Sequence, residues 1–133
     1  MKGFHGNLKN NTIENANFRN VLYTSKKMQL VTMCLLPNES IGEEIHAEID
    51  QFFYVQEGYG LAIINGNEFS IEKDSALLIP AGINHDIINL SSNYRLKLFT
   101  IYSPPNHRDG LIRKTKKEAN KYELEFDNKT TEV

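Results

Sequence analysis

The chain has 133 residues, enough for one domain around a single core. Its formal net charge of -2 excludes nucleic acid or an anionic membrane as a partner drawn in by bulk charge. A single cysteine, Cys34, excludes an internal disulfide and any cysteine-based zinc finger.

Residues 1–17 read as an N-terminal segment; its start, MKGFHGNLKNN, lacks the apolar stretch of a signal peptide. No apolar run approaches the ~20 residues of a membrane helix. Both features, with the lone cysteine, lead us to expect a soluble cytoplasmic protein. Residues 18–103 follow a rhythm of short strands and turns. FRNVLYT and MQLVTMCLL are rich in β-formers, and PNES turns the chain. IGEEIH and QFFYVQE come next, then LAII, which runs into Asn65-Gly66, a strong short hairpin signal. NEFSIE answers it, ALLIP and HDIINL are separated by the AGIN turn, and YRLKLFTIYS closes the series. Turns at such short intervals predict an all-β sandwich or barrel. In residues 104–133 the character changes. NHRDG reads as a loop, and TKKEAN as a short helix with Thr115 as N-cap and Glu118 reaching back. YELEFDNKTTEV reads as a short edge strand ending in a frayed tail.

Alternation along strands says which side chains can meet. Glu44 and His46 share one face and point away from Ile41 and Ile45. Gln51, Phe53 and Val55 share a face, while Phe52 and Tyr54 share the other. Both faces of that strand are apolar, so it is expected to be covered twice, once by the core and once by a neighbouring subunit. Pro80 and Gly82 form a tight corner. His85 then opens a strand on the same face as Ile87 and Asn89, and its ring nitrogens need partners, for which a metal is suited.

These two stretches resemble the paired motifs of the cupin superfamily. In the second, Asp74, Pro80, Gly82, His85 and Asn89 keep every spacing, with aspartate where the family has glycine. In the first, laid back from Gly58, Gln51 falls at the family glutamate, His46 at its second histidine and Glu44 at its first. The resemblance covers roughly residues 28–103. The whole chain also resembles small single-domain bacterial and archaeal cupins, often labelled mannose-6-phosphate isomerase-like. It implies a double-stranded β-helix, or jelly-roll barrel, over residues 18–103, with a short C-terminal helical or irregular extension. It also implies a metal held by Glu44, His46, Gln51 and His85. Glutamate, histidine, glutamine and histidine sum to -1, the same charge as the family's three histidines and one glutamate. Two imidazoles, a carboxylate and an amide oxygen suit Mn, Fe, Ni or Zn better than Ca or Mg.

The plainer alternatives are definite. Glu44 can be a solvated acid beside Glu43, Gln51 can hold a water, and His46 and His85 can be hydrogen-bonded core residues. Asp50 is expected to face away and cap a turn, and His107 to lie in a loop, with folding back over the barrel mouth as the alternative. Tyr102 is expected to pack, with lining the barrel beside Leu96, Leu98 and Thr100 as the alternative, Cys34 to be buried, and RKTKK to be a solvated face. Three functions compete. The first is sugar or sugar-acid chemistry of an isomerase kind, with the metal as Lewis acid. The second is a non-haem iron dioxygenase built on Glu44, His46 and His85. The third is a binding module for a small ligand. Only a catalytic reading needs a base, and Glu44 cannot be both base and ligand. The bulky outward pair Phe52 and Tyr54, with the resemblance, predicts a homodimer.

Overall fold

The structure is a computed structural model that describes residues 1–132. Val133, the last residue of the predicted tail, lies outside it. In chain order the elements are α1 (Leu8–Glu14), β1 (Arg19–Thr24), β2 (Gln29–Leu35), β3 (Asp50–Glu57) and β4 (Tyr59–Ile64). They continue with β5 (Asn67–Glu72), β6 (Ala76–Ile79), β7 (His85–Asn89), β8 (Leu96–Ser103), β9 (Ile112–Arg113) and α2 (Lys116–Lys121).

The strands form two antiparallel sheets. One has six strands in the order β6-β3-β8-β2-β1-β9, the other three in the order β5-β4-β7. Alternation decides what lies between them. Val31, Met33 and Leu35 from β2, Phe53 and Val55 from β3, and Leu96 and Leu98 from β8 point inward. Ala62 and Ile87 of the smaller sheet meet them in one cluster. Each large apolar side chain buried this way contributes about 1.5–3 kcal/mol. The expectation of an all-β jelly-roll sandwich holds.

Two turns follow their residue types closely. Asn65 and Gly66 both have positive φ, 50° and 80°, as the two-residue turn of a β4–β5 hairpin requires. Asp74, which stands where the cupin motif has glycine, has φ 72°. Its carboxylate accepts a 2.5 Å hydrogen bond from the Tyr54 hydroxyl.

Part of the second cover of β3 comes from the chain itself. Residues of α1 pack against β8, β3 and β2, so the chain's own N-terminal segment covers part of the outer face. Cys34 and Thr32, outward-facing on β2, are buried, and Lys97 donates from β8 to the Ile13 carbonyl at the end of the helix. Burial pushes the Cys34 thiol pKa up.

The C-terminal region needs correction. α2 begins at Thr115 as expected, with the Thr115 hydroxyl accepting from Glu118 N. Glu118 reaches back to the amide of Lys114 rather than to that of the cap. Beyond it, the segment bridges through Glu125 to His107. The tail does not fray: Thr131 exchanges hydrogen bonds with Thr24, and Glu132 accepts from Lys2 N, Gly3 N and the Tyr23 hydroxyl. These backbone partners satisfy groups that strand β1 would otherwise leave open.

Candidate metal centre

The centre is assembled by a segment that is almost a strand. The sequence reads residues 41–46 as a strand, but the segment pairs with β7 only through the isolated bridges Ser40–Ile88 and Glu44–His85. Between the bridges Gly42 turns through φ 104°, and its amide donates to the Asp86 carboxylate at 3.0 Å. This turn breaks the alternation. Ile41 is buried, whereas Ile45 is 60% exposed and does not share its packing. Beyond the turn, Glu44 and His85 exchange both backbone hydrogen bonds, at 2.9 and 3.0 Å. Residues paired in that way stand side by side, so their side chains must meet. His46 follows two residues later on the same face. Its carbonyl takes the Gly82 amide at 2.8 Å, which ties it to the Pro80–Gly82 corner.

Glu44, His46 and His85 each present one donor atom, and the three lie within 4.8 Å of one another. The Glu44 carboxylate is 2.9 Å from His46 Nε2 and 3.9 Å from His85 Nε2. Metal bonds to such donors are about 2.0–2.2 Å long, so the three can reach one ion once the side chains adjust around it. Their side-chain exposures fall from 25% at Glu44 to 14% at His46 and 2% at His85, so the cluster opens to solvent on the glutamate side.

Two further features show that this donor set fits an ion. His85 Nδ1 donates to the Ile83 carbonyl at 3.1 Å, which leaves the Nε2 lone pair free. That Nε2 is buried without a hydrogen-bond partner, and so is Gln51 Oε1. A buried acceptor with no donor costs about 1–3 kcal/mol, and a cation at the cluster would relieve His85 Nε2. Gln51 lies on the inner face of β3, with its Nε2 on the Thr100 hydroxyl at 3.0 Å. Asp50, on the opposite face, accepts from Ala81 N at 2.8 Å and so pins the Pro80–Gly82 turn.

His107 takes the alternative placement: it folds back and is buried, with Nε2 3.2 Å from the Tyr102 hydroxyl. The Tyr102 ring meets the His46 ring edge-on at 5.8 Å. Gln29 explains the inward fold. Its Oε1 accepts from Asn106 N and His107 N, and its Nε2 donates to His107 O at 2.7 Å. Burial, then the charges of Arg19, His46 and Arg113, holds the His107 pKa well below the usual imidazole value. Burial pushes the Tyr102 hydroxyl above the usual phenol range, against the opposing influence of Arg19 and the Gln51 amide. The sequence did carry a signal for this network. Gln29 and Arg19 occupy the inward positions of β2 and β1, alternating with Val31 and Val21, and a polar residue in an apolar alternation needs a partner.

The fold and centre can be set beside known proteins. A family model described as Cupin domain matches residues 31–102. The chain is 38% identical over 124 residues to the uncharacterized protein YrkC of Bacillus subtilis, which covers 89% of this chain and 66% of that one. It is 39% identical over 109 residues to protein L612 of Acanthamoeba polyphaga mimivirus, covering 80% of this chain and 68% of that one. This chain thus spans about two thirds of the length of each. The crystal structure of BH2720 from Bacillus halodurans superposes with a TM-score of 0.88 at 36% identity, covering 91% of this chain and 96% of that one. By the match of more than half its length and by its architecture, the chain belongs to the cupin family.

Proposed function

We propose that this cupin binds a divalent transition metal (Mn, Fe, Ni or Zn) through Glu44, His46 and His85, with the Gln51 amide oxygen beside them. We further propose that it acts on a small sugar or sugar acid by proton transfer of the isomerase kind. The observation that carries the reading is the convergence of two imidazoles and one carboxylate at a partly closed mouth, with His85 Nε2 buried and unpartnered. When bound, such an ion supplies a Lewis acid for a carbonyl or a pair of adjacent oxygens.

The chain's own residues would do the rest. Phe53, whose ring lies 6.1 Å from that of His85, closes the apolar side of the pocket and keeps water from it. Tyr102 and His107 form the relay that this reading needs. Burial keeps both neutral, so as the Tyr102 oxygen takes a proton from substrate its own hydroxyl proton passes to His107 Nε2, and the resulting imidazolium, disfavoured by burial, returns its proton readily. Glu44 stays free for ligation.

The test is exchange of substrate C–H for deuterium, followed by NMR across a panel of sugars and sugar acids. The protein is first stripped with a chelator, then reloaded with manganese or zinc. Metal-dependent exchange that His85→Ala loses is the expected result. No exchange with any compound leaves only ligand binding. The same two-histidine, one-carboxylate set also fits a non-haem iron dioxygenase. Substrate-dependent oxygen uptake seen with iron and lost with zinc would favour that chemistry over proton transfer.

A further inference from the structure

Arg19 opens β1 with its side chain turned inward. It alternates with Val21 and pairs with Met33, both members of the core. Only 4% of it is exposed. Among the described residues no acid lies within ion-pair distance of it, and its Nε–H has no protein acceptor. The contact it does make is with the Phe18 ring, whose centroid lies 5.3 Å from the guanidinium carbon. A cation buried without a counter-charge is strongly disfavoured, and an apolar residue would fill the position at far lower cost. Arg19 lies near enough to Tyr102 and His107 for its charge to act on both, and the Tyr102 ring in turn meets that of His46. The Tyr102 hydroxyl feels the charges of both Arg19 and Glu44, and the His107 ring feels those of both Arg19 and His46.

We propose that Arg19 binds the carboxylate of a small organic acid in the barrel, with the other oxygens of that acid directed to the Glu44, His46 and His85 cluster. The inference rests on the metal-centre reading above and narrows its substrate class from sugars to acids. A guanidinium offers two parallel N–H donors that match the two oxygens of a carboxylate. Charge favours a carboxylate over a phosphate. His107 is held neutral and Arg113 is bonded at the surface side to the carbonyls of Tyr122 and Ile112, so Arg19 is the buried positive charge in this part of the interior. One such charge balances a carboxylate and leaves a phosphate dianion half compensated.

The experiment follows the Arg19 Nε–H signal by NMR in nitrogen-15-labelled full-length protein, assigned by its loss in Arg19→Lys. Malonate, inorganic phosphate and neutral erythritol are titrated into metal-free and zinc-loaded protein. Malonate should move the signal and erythritol should not. Malonate affinity should fall about ten-fold or more in both Arg19→Lys and Arg19→Met, as expected when a charge-assisted bidentate contact is lost. A signal unmoved at high malonate overturns the proposal, and so do variants that bind malonate as well as the native protein. A response to phosphate alone overturns the carboxylate assignment. Should a variant fail to fold, the native signal decides. Zinc that leaves the His46 and His85 ring signals unchanged defeats the metal reading on its own, and the metal-free titration still judges Arg19.

Discussion

His107 gives the barrel a pH-dependent stability whose sign follows from its surroundings. In the unfolded chain its imidazole takes up a proton near pH 6.5. In the native protein burial holds the pKa well below that, so the folded state stays unprotonated where the unfolded state does not. This contribution is flat above about pH 6.5. Below that value stability falls as pH falls, by up to about 1.4 kcal/mol per pH unit from this group. Urea unfolding of native protein and His107→Gln at pH 7.5 and 5.5 checks it. The variant should lose part of the decline, whereas an unchanged pH slope would assign the decline to other groups. At this scale the sequence was partly legible. Glu44, His46 and His85 could be grouped because strand alternation and motif spacing carry that information locally. His107 and Arg19 could not, because their burial depends on which distant strand Gln29 faces and on what lies across from β1.

Gly60 shows how close β4 comes to β7, its neighbour in the three-stranded sheet. A Cβ there would lie 2.2 Å from the Ile88 carbonyl oxygen, which is backbone and cannot swing aside. Gly60→Ala should therefore cost about 1–3 kcal/mol or more in urea unfolding. Gly66→Ala meets open space and bears only the strain of φ 80°, so it should cost less. Equal losses in the two variants would show that β4 and β7 can part at Gly60. The strands themselves were readable from alternation and turn residues, the β4–β5 hairpin above all. The 40–46 segment was less so. Its apolar pattern fits a strand, but Gly42 and the Asp86 carboxylate break the pairing between two bridges. The tail was missed because its anchors are single polar contacts to Thr24, Tyr23 and the N-terminal amides, which leave no periodicity.

At the scale of the whole molecule, α1 covers only part of the six-stranded sheet. Leu78 on edge strand β6 is 69% exposed and pairs with half-buried Phe52, which neighbours Ile101 on β8. An apolar patch on a sheet with an open edge strand favours a second copy as its cover. A homodimer is the expected assembly in sedimentation at micromolar concentration, and Leu78→Asp should shift it towards monomer; monomeric native protein would contradict this. The interior matters more for function. The segment before β3 and strand β7 bring a carboxylate and two imidazoles together at one mouth. The most direct test is metal content by mass spectrometry of protein purified without a histidine tag. About one divalent transition-metal ion per chain is predicted, lost in the His46→Ala, His85→Ala double variant; a small residue of metal that is the same in both proteins would contradict it.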